Sequence, residues 1–380
     1  MNSKERVRAA IQWKQPDRIP VHENFWTDTL TEWKIQGLPE AVEMYPPLDA
    51  ERENLNSIEA YFDFDVAPMY MDSSPRFEQK IISHDGDYYT FDDRFGYQAV
   101  KTWQKSGTIH YTKTVTEDQD AWNTLVKPRM QMVDGESARI DDRSYFEHFE
   151  PYPTWPEARK KFNRFTAAER YVLAINYGPW EATWRHRDFS RVLMDIALEP
   201  EWFAEMAHTH KELSLSILAK SISEGIKPDG YLMIDDLGSA NAPLISPTMF
   251  REILKPIYIE MGKFLKMHGI DFWLHSCGNV GMLIDDYVEC GIQVLNPVQV
   301  TAGMNVLELA DRYEGVLAFY GSIDAHKVSG PWEILEKDLQ ERCRRFSSGG
   351  WIAHSDHSIP PTMSYEMFNR MLNYIKNWKN

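Results

Sequence analysis

The residues best suited to chemistry lie in the segment WLHSCGNV, 273–280. His275 and Cys277 are one residue apart and follow an apolar run, so a neutral imidazole and a thiolate can turn toward one ion. Zinc favours such N/S ligation. Gly278 then lets the backbone bend tightly. An isolated H-x-C is more often a hydrogen-bonded histidine beside a small buried cysteine, so a metal reading requires a third ligand. The tetrapeptide His354-Ser355-Asp356-His357 follows another apolar run and offers His357 first, with His354 and Asp356 behind it. Cys290 ends a helical run at the far end of its unit and Cys343 lies in the charged stretch ERCRRF, so neither competes. Asp235 and Asp236 follow GYLMI. Adjacent side chains of an extended chain point to opposite sides, so one acid faces a cavity, as acid, base or histidine-orienting group, while the other caps or solvates the loop.

These groups need elements that bring them together. From Thr154 onward, short apolar runs (171–176, 230–235, 271–275, 292–296, 316–321 and 350–354) alternate with amphipathic helical runs (191–223, 246–267, 280–290, 306–313, 333–345 and 365–378). Ser246 and Pro247 open one helix, because Ser accepts an orphan N–H while Pro lacks one. RIPV (18–21) and FDFDV (62–66) add two weaker strands, and eight strand–helix units predict an α/β fold of the (β/α)8 TIM barrel type. An open doubly wound sheet competes, but neither GxGxxG nor GxxxxGK[ST] occurs. Asp85-Gly86 between alternating stretches predicts an antiparallel hairpin within 81–115. The chain therefore reads as one barrel domain over 1–380, with 67–150 an irregular insertion carrying antiparallel strands.

A barrel does its chemistry at the C-terminal ends of its strands. Turn chemistry explains Ser, Gly, Asn and Asp there, but not histidines at three strand ends plus a cysteine. Asp235, Asp236 and His275 are the expected catalytic groups, and His275, Cys277 and His357 the expected metal ligands. His22, Asn176, Tyr177, Trp180, Asn296 and Gln299 are the expected substrate contacts.

With 13 Trp, 18 Tyr and 18 Phe, the 380 residues carry enough apolar area for a core, which excludes disordered and collagen-like chains. Acidic residues outnumber basic ones 57 to 41, and a net charge of −16 argues against nucleic acid. No apolar run approaches the roughly 18 residues of a membrane span. The first residues lack the apolar segment of a secretory signal, and three cysteines cannot all pair, so a reducing cytoplasm is expected.

Four segments carry a resemblance: DDLGSANAPLISPTMFREILKPIY, FWLHSCGNVGMLIDDYVECGIQVLNPVQVTAGMNVLELADRY, LAFYGSIDAHKV and GGWIAHSDHSIPP. Together they resemble the uroporphyrinogen decarboxylase superfamily, in particular its cobalamin-dependent methyltransferase branch. ERVRAAIQWKQPDRIPV resembles the family's opening helix and first strand. The resemblance implies a (β/α)8 barrel with the site at its mouth. The true decarboxylases carry an Arg-containing motif after the first strand, whereas VHENFWTDTL has no Arg, which disfavours a polyacidic tetrapyrrole. The methyltransferase branch holds zinc with an H-x-C and a distant Cys before an I-P-P-like turn. His275 and Cys277 match the first two positions, and alignment on Ile359 puts His357 at the third. With no DxHxxG signature in the chain, the resemblance implies cobalamin supplied by a separate corrinoid carrier protein. Phe25, Trp26, Tyr177, Trp180 and Trp184 would suit an aryl methyl ether, making O-demethylation the favoured activity. Methylcobalamin:thiol methyl transfer and a metal-free decarboxylase of another substrate are the enzymatic alternatives, and a binding protein that kept only the barrel is the third. A homodimer is the candidate assembly.

Overall fold

The computed structural model describes residues 1–44, 57–102, 107, 109–133, 135–141 and 152–379. The expected insertion thus runs in part, at 142–150, outside the described residues. In chain order the strands are β1 (Val66–Met71), β2 (Lys80–Asp85), β3 (Tyr88–Asp92), β4 (Tyr97–Thr102), β5 (His110–Thr114), β6 (Ile140–Asp141), β7 (Tyr171–Tyr177), β8 (Gly230–Ile234), β9 (Asp271–His275), β10 (Val294–Asn296), β11 (Ala318–Ile323) and β12 (Trp351–Ser355).

Seven of them form one parallel sheet in the order β12-β11-β10-β9-β8-β7-β1, and β6 pairs antiparallel with β1. Every residue of β7, β11 and β12 is buried, as expected where helices cover one face and the sheet curls around side chains on the other. Pairing in register puts Tyr177 beside Ile234, Ile234 beside His275, and His275 beside Asn296. The carboxyl ends of four strands are therefore level.

Several expected boundaries move for identifiable reasons. The second strand is Val66–Met71 rather than 62–66, because Phe62 and Phe64 pack in the core while the Asp65 carboxylate takes Arg6 at 2.5 Å, Arg18 at 2.7 Å and the Val21 N–H at 2.8 Å. RIPV does not form a strand, only a single parallel bridge between Val21 and Ala353. Its backbone still bonds both neighbours: Ala353 N–H donates to Pro20 O (2.9 Å), His22 N–H to Ala353 O (3.1 Å) and Asp65 N–H to Val21 O (2.9 Å). The run expected as one helix over 191–223 is two, Phe189–Leu198 and Pro200–Ser223, since Pro200 cannot continue the first. Ser246 caps its helix as expected, its hydroxyl accepting Met249 N–H at 3.1 Å. The following turn widens over Phe250–Leu254, just before Pro256, which has no N–H to donate.

Strands β2 to β5 form a separate antiparallel sheet, with Gly86 at φ +57° in the turn between β2 and β3. Tyr89, Phe91, Tyr97 and Ala99 bury its inner face. Arg185 joins this sheet to the parallel one: its guanidinium lies 3.7 Å from the Tyr177 ring and 5.9 Å from Phe95, and donates to Tyr111 Oη at 3.3 Å. Among the described residues, no helix is long and apolar enough to cross a membrane.

Candidate active site

Three ligand atoms, from Asp236, His275 and Cys277, lie within 4.8 Å of one another at the carboxyl ends of β8 and β9, on half-buried side chains. His275 Nε2 is 3.3 Å from Cys277 Sγ and 3.5 Å from Asp236 Oδ1. The other imidazole nitrogen, Nδ1, bonds Asn296 Oδ1, and the Asn296 amide donates to Tyr320 O at 2.6 Å. That orientation of the amide makes Nδ1 the donor and leaves the Nε2 lone pair aimed at the cluster.

Backbone packing delivers the third group. Gly238 touches the 277–279 turn so closely that a Cβ would sit 2.3 Å from Cys277 O, and a Cβ on Gly278 would meet Gly238 C at 2.4 Å. Gly278 has φ +82°, open to glycine without strain. The two loops are tied by Asn279 N–H to Ser239 O (2.7 Å), and Cys277 N–H donates to Asp236 Oδ1 at 2.8 Å. Gln299 braces the turn, accepting Gly278 N–H at 2.8 Å from a loop bent by Val298 at φ +56°. Gly238→Ala should accordingly cost roughly 1–3 kcal/mol by overpacking, read by denaturant melts. An unchanged melt would show that the two loops part without cost.

Burial raises the Cys277 thiol pKa well above its ordinary value, and the charges of Asp236, Glu181 and Asp356 push the same way. A nitrogen, a sulfur and a carboxylate oxygen are a donor set that fits a catalytic zinc ion, which takes three protein ligands. Among the described residues a second group, His208, Glu212 and Glu260, also gathers ligand atoms. Its residues are on the exposed surface, and the Lys211 ammonium already pairs with both of its carboxylates.

His357, the expected third ligand, stacks on Trp26 (centroids 5.3 Å apart, planes at 27°) and is not among the atoms that converge within 4.8 Å, although the charges of His275 and Asp236 reach it. His354 is buried beside Glu23, its Nε2 3.9 Å from Glu23 Oε2, and Glu23 accepts Ser355 N–H at 2.9 Å.

Of the two adjacent acids, Asp236 joins the cluster and Asp235 does not. Asp235 caps the helix Pro179–Arg187, accepting Glu181 N–H at 2.6 Å and Trp180 N–H at 3.3 Å, and takes the Tyr258 hydroxyl at 2.5 Å. Burial pushes its pKa up to about 8 against those donors. Its role is to hold the helix that carries Glu181.

Most expected substrate contacts turn into packed interior instead. Asn176 bonds Ser73, Ser214 and Tyr231, with no surface exposed. Trp180 is enclosed by Phe189 and Phe203. Tyr177 covers Arg185, and His22 bonds the Tyr320 hydroxyl at 2.5 Å, its pKa lowered to about 3 by burial. Asn296 orients His275. Gln299 alone of the six lines an open cleft of about 410 Å3, together with Trp26, Thr301, His326, Asp356 and His357. Asp356 fixes the loops around it through Val300 N–H and Ala325 N–H, both at 2.9 Å.

Sequence reasoning missed Glu181 and Arg185, a buried pair 2.7 Å apart near the cluster. Pro179 followed by an acid in the first turn was the available helix-start signal.

The family profile described as Uroporphyrinogen decarboxylase (URO-D) matches residues 158–378, more than half of the chain. The chain belongs to the uroporphyrinogen decarboxylase family. Its β7 to β12 and all three cluster residues fall within the matched span. Among solved structures, a methyltransferase from Methanosarcina mazei superposes with a TM-score of 0.63 at 15% sequence identity, covering 98% of this chain and 97% of that one. This is a likeness of fold. No curated protein sequence matches the chain.

Proposed function

We propose that this member of the family is a methyltransferase that moves a methyl group between a small substrate, an aryl methyl ether in the favoured reading, and the corrinoid of a separate carrier protein. The observation that carries the reading is the meeting of Asp236, His275 and Cys277 beside a cleft walled by the Trp26–His357 stack. The frame is read as a closed (β/α)8 barrel, supported by the bonds of Pro20–His22 to Ala353 on one side and to Asp65 on the other. Three free cysteines among the described residues support a reducing, cytoplasmic setting.

Zinc, when bound, supplies Lewis acidity that polarises the heteroatom carrying the methyl group. The chain's own groups do the rest. Asn296 keeps the His275 Nε2 lone pair directed at the cluster. Asp236 places its carboxylate by accepting Cys277 N–H. The stacked Trp26 and His357 rings in the lining give an aromatic substrate a surface to pack against. Decarboxylation of a polyacidic tetrapyrrole finds no support, since VHENFWTDTL offers no Arg and Asp235 is already engaged as a helix cap.

The test mixes reduced corrinoid protein, zinc-loaded enzyme and a candidate donor. Loss of the Co(I) absorbance with an aryl methyl ether is the expected result. No spectral change across ethers, amines and thiols would overturn the methyltransferase reading.

A further inference from the structure

We infer that the mouth selects a methyl donor carrying no negative charge, so that an uncharged methoxyphenol is preferred over a methoxybenzoate. This rests on the aryl-ether reading above and adds a charge rule to it.

The lining of the cleft contains Trp26, Gln299, Thr301, His326, Asp356 and His357, and among its described residues there is no Lys or Arg. A benzoate carboxylate taken into a partly dry site needs a paired cation or several aimed donors to replace its water. Among the described residues, the nearby cations Arg185 and Lys327 are already paired. Arg185 is buried, paired with Glu181 at 2.7 Å and covered by Tyr177 at 3.7 Å. Lys327 is bonded to Asp338 at 3.0 Å. Several donors of the lining are already engaged: Val300 N–H and Ala325 N–H by Asp356, the Gln299 amide by Thr301 at 3.1 Å, and the Ser329 and Thr362 hydroxyls by each other at 2.8 Å.

What faces the cluster instead is acidic. Glu181 and Asp356 lie close enough for their charges to act on Cys277, and Glu23 is buried behind Ser355. Ionised, such groups repel a second carboxylate; protonated, they supply no compensating charge. A divalent ion held by a thiolate and a carboxylate has its charge offset by those two ligands, so it would not restore a positive mouth. A neutral ring loses nothing of this kind and keeps its packing against the Trp26–His357 stack.

The experiment compares guaiacol (2-methoxyphenol) with vanillate, the same ring bearing one added carboxylate. Binding to zinc-loaded protein is measured by calorimetry without any corrinoid, and methyl loss is then measured with the carrier present. Guaiacol should bind about tenfold tighter or more. Thr301→Arg, which adds a cation to an exposed position of the lining, should recover most of that difference for vanillate, while Thr301→Gln should not. Vanillate that binds and loses its methyl group as well as guaiacol overturns the charge rule and leaves the ether reading standing. Methyl loss from neither ring, with tetramethylammonium demethylated instead, overturns the ether reading itself. Absence of binding by either ring overturns both.

Discussion

Replacing Asp236 with Ala should lower zinc affinity by about 100-fold or more, since loss of an outer partner already costs about 10–100-fold. Cys277→Ala and His275→Ala should do the same, and all three should abolish methyl loss in the corrinoid assay. His357→Ala is the discriminating control. Its ring lies against Trp26 outside the cluster, so zinc affinity should change by less than about threefold while affinity for the ring substrate falls with the lost stacking surface. Competition with a chelating dye at fixed pH, beside metal content after dialysis, separates the two outcomes. If His357→Ala releases zinc and Asp236→Ala does not, the third ligand comes from β12 and the cluster rearranges around the ion. Asp236→Asn adds a further reading: the amide keeps an oxygen for Cys277 N–H but loses the charge, so it should keep the fold and still bind zinc poorly.

Zinc uptake should strengthen steeply with pH. Without metal, burial and the surrounding carboxylates hold the Cys277 thiol well above its ordinary pKa, so at neutral pH it is protonated. A thiolate is the ligand form, so binding must expel that proton. The sign follows directly: lower pH favours the proton and higher pH the metal. With one proton released, affinity rises about tenfold per pH unit, or about 100-fold from pH 6 to pH 8. Titration in a weakly buffered indicator should count close to one proton per zinc. Cys277→Ala should bind weakly at every pH and flatten the slope. A flat profile in the unaltered protein would mean that the thiol is ionised before metal arrives, or that sulfur is not a ligand.

The difference between Asp236 and His357 shows where a linear reading stops. His275 and Cys277 are two residues apart at the end of a strand, so their closeness is a local property that the segment WLHSCGNV dictates alone. The same holds for the antiparallel turn at Asp85-Gly86, the Ser246 cap and the apolar runs that became β7 to β12, because each depends on residues within one or two turns of chain. The third member of the cluster depends on which strand lies next to β9. Register with β8 and the glycine contact of Gly238 with Gly278 bring Asp236 in, and no local pattern reports either.

Facing direction was equally hidden in strands buried on both sides. Alternation of polar and apolar residues marks a face only when the other face meets water, and β7 meets none. Asn176 and Tyr177 therefore read as mouth residues, while in the fold one satisfies a buried network and the other covers Arg185. His22 and Trp180 were placed at the mouth by position and are enclosed by neighbours that arrive from far along the chain, Tyr320 and Phe203. Short-range pattern carries the family likeness, the strand–helix alternation and the H-x-C pair. Only tertiary structure brings Asp236 to that pair, sets Asp235 on the helix start and leaves the described lining of the cleft without Lys or Arg, because each is a meeting of segments whose separation in sequence leaves no local trace.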